Sequence, residues 1–267
     1  MIKPKVSVIT VVFNEEHAIE ETLRSVIRQT YSNKEYIVID GGSKDKTVDI
    51  IKKYQTNIDY WVSETDGGIY YGMNKGVAQV HGDWVLFINA GDKLASDHVL
   101  EDVFGNKVYN ESIHIIYGNI IYHYPDYDFL IDCKPIKKEF QNLHPATFCR
   151  ANDIKDYPFD TSFRIAADAN FFTTVKKMYG FSSFLHIPIT ISIFEAFSGV
   201  SNRNLYNMYK EHLRALQRKK NIRNYLALFR LWIVSKIYRK RGSMAVLNWI
   251  CQKNFRNPRY SIWKKNI

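Results

Sequence analysis

Four short apolar runs constrain most strongly what this chain can fold into: VSVITVVF from Val6, YIVI from Tyr36, YWVS from Tyr60 and WVLFI from Trp84. They are of strand length and rich in β-branched or aromatic residues. The first is apolar almost throughout, as a strand buried on both faces should be. Between the runs the spacing becomes helical. Ile19, Leu23, Val26 and Ile27 recur after the first run, and Val48, Ile50 and Ile51 line a helix from Asp45 to Tyr54. A third helix is expected around Tyr70–Val80. Asn14 stands where it would cap the first helix, with Glu15 and Glu16 favourable in the first turn. The order β-α-β-α-β-α-β predicts an α/β fold with a mainly parallel sheet sandwiched by helices. In such sheets ligands bind at the carboxyl ends of the strands. Asp40, Asp66 and Asp92 each follow a predicted strand, so three acids should share one sheet edge.

Beyond residue 105 the pattern loosens. Ile113–Tyr124 reads as strand with a Gly-Asn interruption, Asp168–Tyr179 as helix and Phe184–Phe194 as strand. From Asn202 onward helices are expected, with Leu226, Phe229, Ile233 and Ile237 forming an apolar stripe. Cys133, Cys149 and Cys251 are too scattered for a structural zinc site or a disulfide framework, which points to reduced thiols. The amino terminus runs straight into a strand pattern and does not read as a secretory signal. No run of about 18 uncharged apolar residues occurs, so no membrane-spanning helix is expected.

The formal charge of +10 is unevenly distributed. Met1 to Asn202 carries 20 Lys and Arg against 26 Asp and Glu, whereas Arg203 to Ile267 carries 17 Lys and Arg against Glu211 alone. The whole basic excess therefore lies in the last quarter of the chain. Such a segment suits an anionic surface as partner: lipid headgroups, acidic glycolipid or nucleic acid.

Singly, each acidic loop is well explained as a turn, because Asp before Gly-Gly is a turn former. Taken in order, VSVITVVFNEE, YIVIDGGSKDKT, SETDGGIYYGMNKG and GDWVLFINAGD closely resemble family 2 of the nucleotide-sugar-dependent glycosyltransferases. That is an inverting group with the Rossmann-like GT-A fold, and the likeness extends to bacterial members that assemble exopolysaccharide and lipopolysaccharide. It covers about residues 4–200 and is strongest from about 4 to 100.

The resemblance implies a site. Val12, Phe13, Asn14 and Glu15 would lie along the nucleoside of a UDP- or GDP-sugar. Asp40 would hydrogen-bond the base, with Gly41 allowing close approach. Asp66 and Gly67 would line the same pocket, and Lys75 would face a phosphate. Where much of the family ends strand 4 in Asp-x-Asp-Asp, this chain has Asn89, Ala90, Gly91 and Asp92. Asp92 is then the metal ligand for Mg²⁺ or Mn²⁺. Asn89 offers a carbonyl oxygen, and the shell is thinner because Asn89 and Gly91 replace acids. The segment FRIAADANFF resembles the one that carries the family's base, which makes Asp168 the catalytic candidate. In NLHPATFCR, His144 and Arg150 would stand on the acceptor side, and in the segment after FEAFSGV, Ser201 and Arg203 would meet the diphosphate.

The expected organisation is a GT-A nucleotide-sugar-binding and catalytic domain at 1–202, followed by a basic helical extension at 203–267. The expected activity is inverting transfer of a hexosyl or N-acetylhexosaminyl group to a lipid-linked or polysaccharide acceptor in surface polysaccharide biosynthesis. It would take place in the cytoplasm, peripherally at the inner membrane face. A nucleotide-sugar-binding module without transferase activity is the alternative, motivated by the acids missing at 89 and 91. Nucleic acid is not an expected partner. Trp232, Trp249, Tyr260 and Trp263 interleave the basic tail, but no nucleic-acid motif accompanies them.

Overall fold

A computed structural model describes residues 3–124, 127–135, 144–196, 205–217, 226 and 260–264. Its centre is β1 (Val6–Val12), every residue of which is buried. β1 pairs in parallel with β2 (Lys34–Asp40) on one side and β4 (Trp84–Phe87) on the other, and β2 pairs in parallel with β3 (Tyr60–Ser63). The register sets Val12 against Asp40 and Ile9 against Phe87, so the loops leaving these strands emerge together.

The helices between them follow the expected order. α1 (Ile19–Ile27) buries Ile19, Leu23 and Val26 completely. α2 spans Thr47–Lys53 and α3 spans Ile69–Val77. Two glycines one helical turn apart let α3 lie flat on the sheet. A Cβ at Gly72 would come within 2.7 Å of Val11 and one at Gly76 within 2.6 Å of Ile9.

Past β4 the sheet becomes mixed. β8 (Thr147–Arg150) pairs antiparallel with β4 and with β6 (Ile115–His123), and β7 (Tyr127–Ile131) pairs antiparallel with β6. β9 (Phe184–Glu195) runs parallel to β6, with an irregular register around Tyr117 and Asn119, where the Gly-Asn interruption was expected. β9 also pairs with the short β5 (Lys93–Leu94). Among the described residues the sheet has ten strands; β3-β2-β1-β4 and the β6–β9 pair are parallel, and the remaining pairs are antiparallel. α4 (Val99–Phe104), α5 (Ala151–Asp156) and α6 (Ala167–Tyr179) complete the cover. Trp84, Phe104 and Phe148 fill the core beneath them, with Phe104 and Phe148 edge to face at 5.0 Å.

Two expectations are corrected. Asn14 does not cap α1, which begins at Ile19; it adopts a left-handed φ of 52° and its Oδ1 accepts the Lys44 N–H at 2.8 Å. Four residues of β1–α1 loop intervene, and the side chain ties that loop to the next one instead. The basic segment is not helical throughout either. α7 (Leu205–Ala215) packs on α6, but Tyr260–Lys264 forms β10, an antiparallel edge strand on β7. The expected stripe at Phe229, Ile233 and Ile237 lies outside the described residues; Leu226 is helical and exposed. No helix among the described residues is long and apolar enough to cross a membrane.

Candidate active site

The loops after β1 to β4 meet at the carboxyl edge of the parallel strands, and the first two are bolted together. Besides the Asn14 bond, the Asn14 N–H donates to Ser43 Oγ at 2.7 Å and the Glu15 N–H to Thr47 Oγ1 at 2.9 Å. Phe13, 59% exposed, projects from this junction, while Val12 is buried beneath it.

Asp40 is fully buried. Its Oδ2 accepts the N–H groups of Gly42 and Ser43 at 3.0 and 2.9 Å and the Ser63 hydroxyl at 2.6 Å, and its Oδ1 accepts the Ser43 hydroxyl. Oδ2 is thus taken up by the loop itself, while Oδ1 accepts one hydroxyl. The carboxylate beside the open surface belongs to Asp66. That group is half-buried and lies 3.2 Å from where a Gly41 Cβ would stand. It accepts the Gly68 N–H at 2.8 Å. The Tyr71 ring covers Gly67, and a Cβ there would meet it at 2.7 Å. Tyr71 is 48% exposed. Lys75 is engaged by Glu64 at 2.7 Å rather than standing alone at the pocket.

After β4, Asn89 and Asp92 close a tight turn in which the Asp92 N–H donates to the Asn89 carbonyl at 2.9 Å. Gly91 supplies the left-handed φ of +96°. Ala90 donates its N–H to the Val11 carbonyl at 3.1 Å, fixing the turn to β1. Asp92 is 5% exposed. Burial pushes its carboxyl up to about 7 against the opposing charge of His144.

Asp168 opens α6 and is 8% exposed. Its Oδ2 faces His144 Nδ1 at 3.2 Å. Its Oδ1 accepts the Ala169 N–H at 2.8 Å and the Tyr70 hydroxyl at 3.2 Å. Burial raises this carboxyl, but the hydrogen bond and charge of His144 outweigh it, so Asp168 is held below its ordinary range. On its other side, His144 Nε2 lies 3.1 Å from Asn89 Nδ2. The expected residues Asp168, His144 and Asn89 are therefore joined, together with Tyr70, in one hydrogen-bonded series, Tyr70–Asp168–His144–Asn89. Two carboxyls near His144 are driven in opposite directions, the arrangement that separates acid and base roles in one site.

Arg150 does not join them. It pairs in register with Trp84, the first residue of β4, at the edge opposite the acidic loops. Its guanidinium lies 4.3 Å over the Trp84 ring, and it donates to the carbonyls of Ile113 and Asn110 at 2.9 and 3.0 Å. The residue ends the antiparallel strand β8, and strand direction carries it away from the acidic loops. Ser201 and Arg203 lie outside the described residues.

Three neighbours of the site carried no sequence signal. Tyr70 is a buried residue of α3, Glu195 ends β9, and Glu211 reaches the site from α7. The Glu211 carboxylate accepts the N–H groups of Arg164, Ile165 and Ala166 at 3.1, 2.8 and 3.1 Å, fixing the approach to α6.

A divalent cation fits the donors present in part. Asn89 Oδ1 is buried without a hydrogen-bond partner, and Asp92 offers a carboxylate in the same turn. Among the described residues no three His, Cys, Asp or Glu side chains converge as a ready-made cluster.

Comparison with known proteins agrees with this architecture. An uncharacterized glycosyltransferase of Mycobacterium tuberculosis is 41% identical over 98 residues, 36% of this chain and 37% of its own length. The match thus spans little more than a third of that relative. A Mycobacterium bovis PGL/p-HBAD biosynthesis glycosyltransferase is 26% identical over 93% of this chain and 98% of its own. Among solved structures, the mannosyltransferase PcManGT from Pyrobaculum calidifontis, in complex with GDP-Man and Mn²⁺, matches 96% of this chain and 82% of its own. The TM-score is 0.63 at 16% identity. S. aureus TarS 1-349 with UDP-GlcNAc matches 81% of this chain and 68% of its own, at TM-score 0.60 and 19% identity. The family model described as glycosyl transferase family 2 matches residues 7–167, more than half of the sequence, and the chain belongs to that family.

Proposed function

We propose that this chain is an inverting glycosyltransferase that moves a hexosyl or N-acetylhexosaminyl group from a UDP- or GDP-sugar to a hydroxyl of a lipid-linked or polysaccharide acceptor. The observation that carries the reading is the 3.1 Å contact between Asn89 and His144, which joins the turn after β4 to the Asp168 pair. The nucleoside lies between Phe13 and the Asp66 loop. Asp66, with its carboxylate beside Gly41, accepts the N–H edge of uracil or guanine in place of the occupied Asp40. The diphosphate lies over the turn from Asn89 to Asp92. A Mg²⁺ or Mn²⁺ ion held by Asp92 and Asn89 Oδ1 would neutralise charge developing on the leaving diphosphate.

Asp168, held ionised by His144, takes the proton of the acceptor hydroxyl as the oxygen attacks the anomeric carbon. His144 positions it, and Tyr70 holds the other carboxylate oxygen. The same anion favours an oxocarbenium-like transition state, as in glycoside hydrolysis. The basic segment from Arg203, with 17 Lys and Arg, supports a peripheral location at the anionic cytoplasmic face of a membrane. The test is release of nucleoside diphosphate from UDP-, GDP- and dTDP-sugars with a membrane lipid extract, with and without Mn²⁺. Acceptor-dependent release from one donor supports the transferase. Binding of that donor without release under any condition selects the binding module.

A further inference from the structure

Asn89 and Gly91 remove two acids from the loop after β4, yet the space beside Gly91 is taken by another carboxylate-bearing side chain. A Cβ at Gly91 would stand 3.5 Å from Glu195 Cβ and 3.8 Å from its Cγ. Glu195 comes from a distant part of the sequence. β9 reaches this turn because Ile193 pairs with Lys93 just beyond it. The Glu195 N–H donates to Asp92 Oδ1 at 3.0 Å. In the same turn Asn89 Oδ1 is buried with no hydrogen-bond partner, on a residue 9% exposed. The Asp92 carboxylate, the Glu195 side chain beside the same turn and the unpartnered Asn89 carbonyl oxygen bring only oxygen acceptors to this turn. Such a set suits a hard cation, whereas a second hydrogen-bond acceptor would be repelled.

We propose that Glu195 replaces, from β9, the acid missing at Gly91, and that Glu195, Asp92 and Asn89 Oδ1 together hold one divalent cation. Three protein oxygens leave the rest of the shell to water and to the diphosphate of the donor, the usual division for Mg²⁺. The diphosphate part rests on the transferase reading; the contact between Glu195 and the cation does not.

The experiment is Mn²⁺ titration of the full chain, followed by the electron paramagnetic resonance signal of free Mn²⁺, alone and with UDP or GDP. Wild type is compared with Glu195→Gln, and with Glu101→Gln, far from the turn, as a surface control whose carboxylate pairs with Lys3. Glu195→Gln keeps the main-chain bond to Asp92 and should fold, which thermal unfolding in EDTA verifies. Glu195→Asp, with its shorter reach, supplies a second variant. Glu195→Gln should weaken Mn²⁺ by at least about tenfold, with Glu101→Gln unchanged. Nucleotide affinity in EDTA should be the same for Glu195→Gln and wild type. Equal Mn²⁺ retention by wild type and both Glu195 variants overturns the proposal, as does failure of wild type to retain Mn²⁺ at millimolar concentration. Absence of nucleotide binding by wild type in EDTA sinks the donor reading instead, and the titration with Mn²⁺ alone still judges Glu195.

Discussion

Asp40 and Asp66 look alike in sequence, each an acid before Gly-Gly, and the structure gives them different work. Asp40 is buried under donors from Gly42, Ser43 and Ser63 and builds the loop. Asp66 is half-buried, with its carboxylate beside Gly41 and accepting the Gly68 N–H. Position after a strand was legible in both; which one is used up by its own loop depends on turn geometry that residue type does not encode. Asp40→Ala would leave buried N–H and hydroxyl donors without acceptors. It should cost about 3 kcal/mol of stability, since each bond to a charged group contributes roughly 1.5–3 kcal/mol. Urea unfolding measures this, and nucleotide binding should weaken with it. Asp66→Asn should leave the unfolding midpoint in place while weakening nucleotide binding.

At the scale of elements, β1 and β2 are tied at their amino ends by Glu35, which is 4% exposed. Burial raises its carboxyl, but bonds from Lys5, Ser7 and the His81 N–H outweigh that effect and hold it below its ordinary value of 4.5. A carboxyl depressed in the folded state stabilises above its unfolded pKa, and that stability is lost as pH falls through the folded value. Wild type should therefore lose stability on acidification below about 4.5 more steeply than Glu35→Gln, which has no such titration. Thermal unfolding across pH 3 to 6 (roughly the window set by that ordinary carboxylate range) reads the difference. The strands and helices to residue 87 were legible because each carries its own period of apolar residues. The start of α1 was not, because Asn14 is a good cap by residue type and the competing bond to Lys44 comes from another loop.

At the scale of the whole molecule, the chain from 203 onward was legible as basic but not as part of the sheet's body. Glu211, its single acid, holds three N–H groups ahead of the helix that presents Asp168. Charge composition hides this role, since one acid among so many bases reads as noise. Likewise β10 pairs with β7 although its sequence, Tyr-Ser-Ile-Trp-Lys, is too short to announce a strand by itself. Glu211→Ala should lower turnover and stability together. The stability cost should be about 1 kcal/mol, the usual worth of a helix-end cap, and the effect should appear in kcat rather than in nucleotide affinity.

The most direct measurement compares wild type with Asp168→Asn on the donor that gives turnover, reading both donor binding and release of nucleoside diphosphate. Donor affinity should be unchanged and kcat should fall at least about 100-fold, the usual contribution of a positioned base. Turnover by Asp168→Asn at the wild-type rate would contradict the assignment of Asp168 as that base.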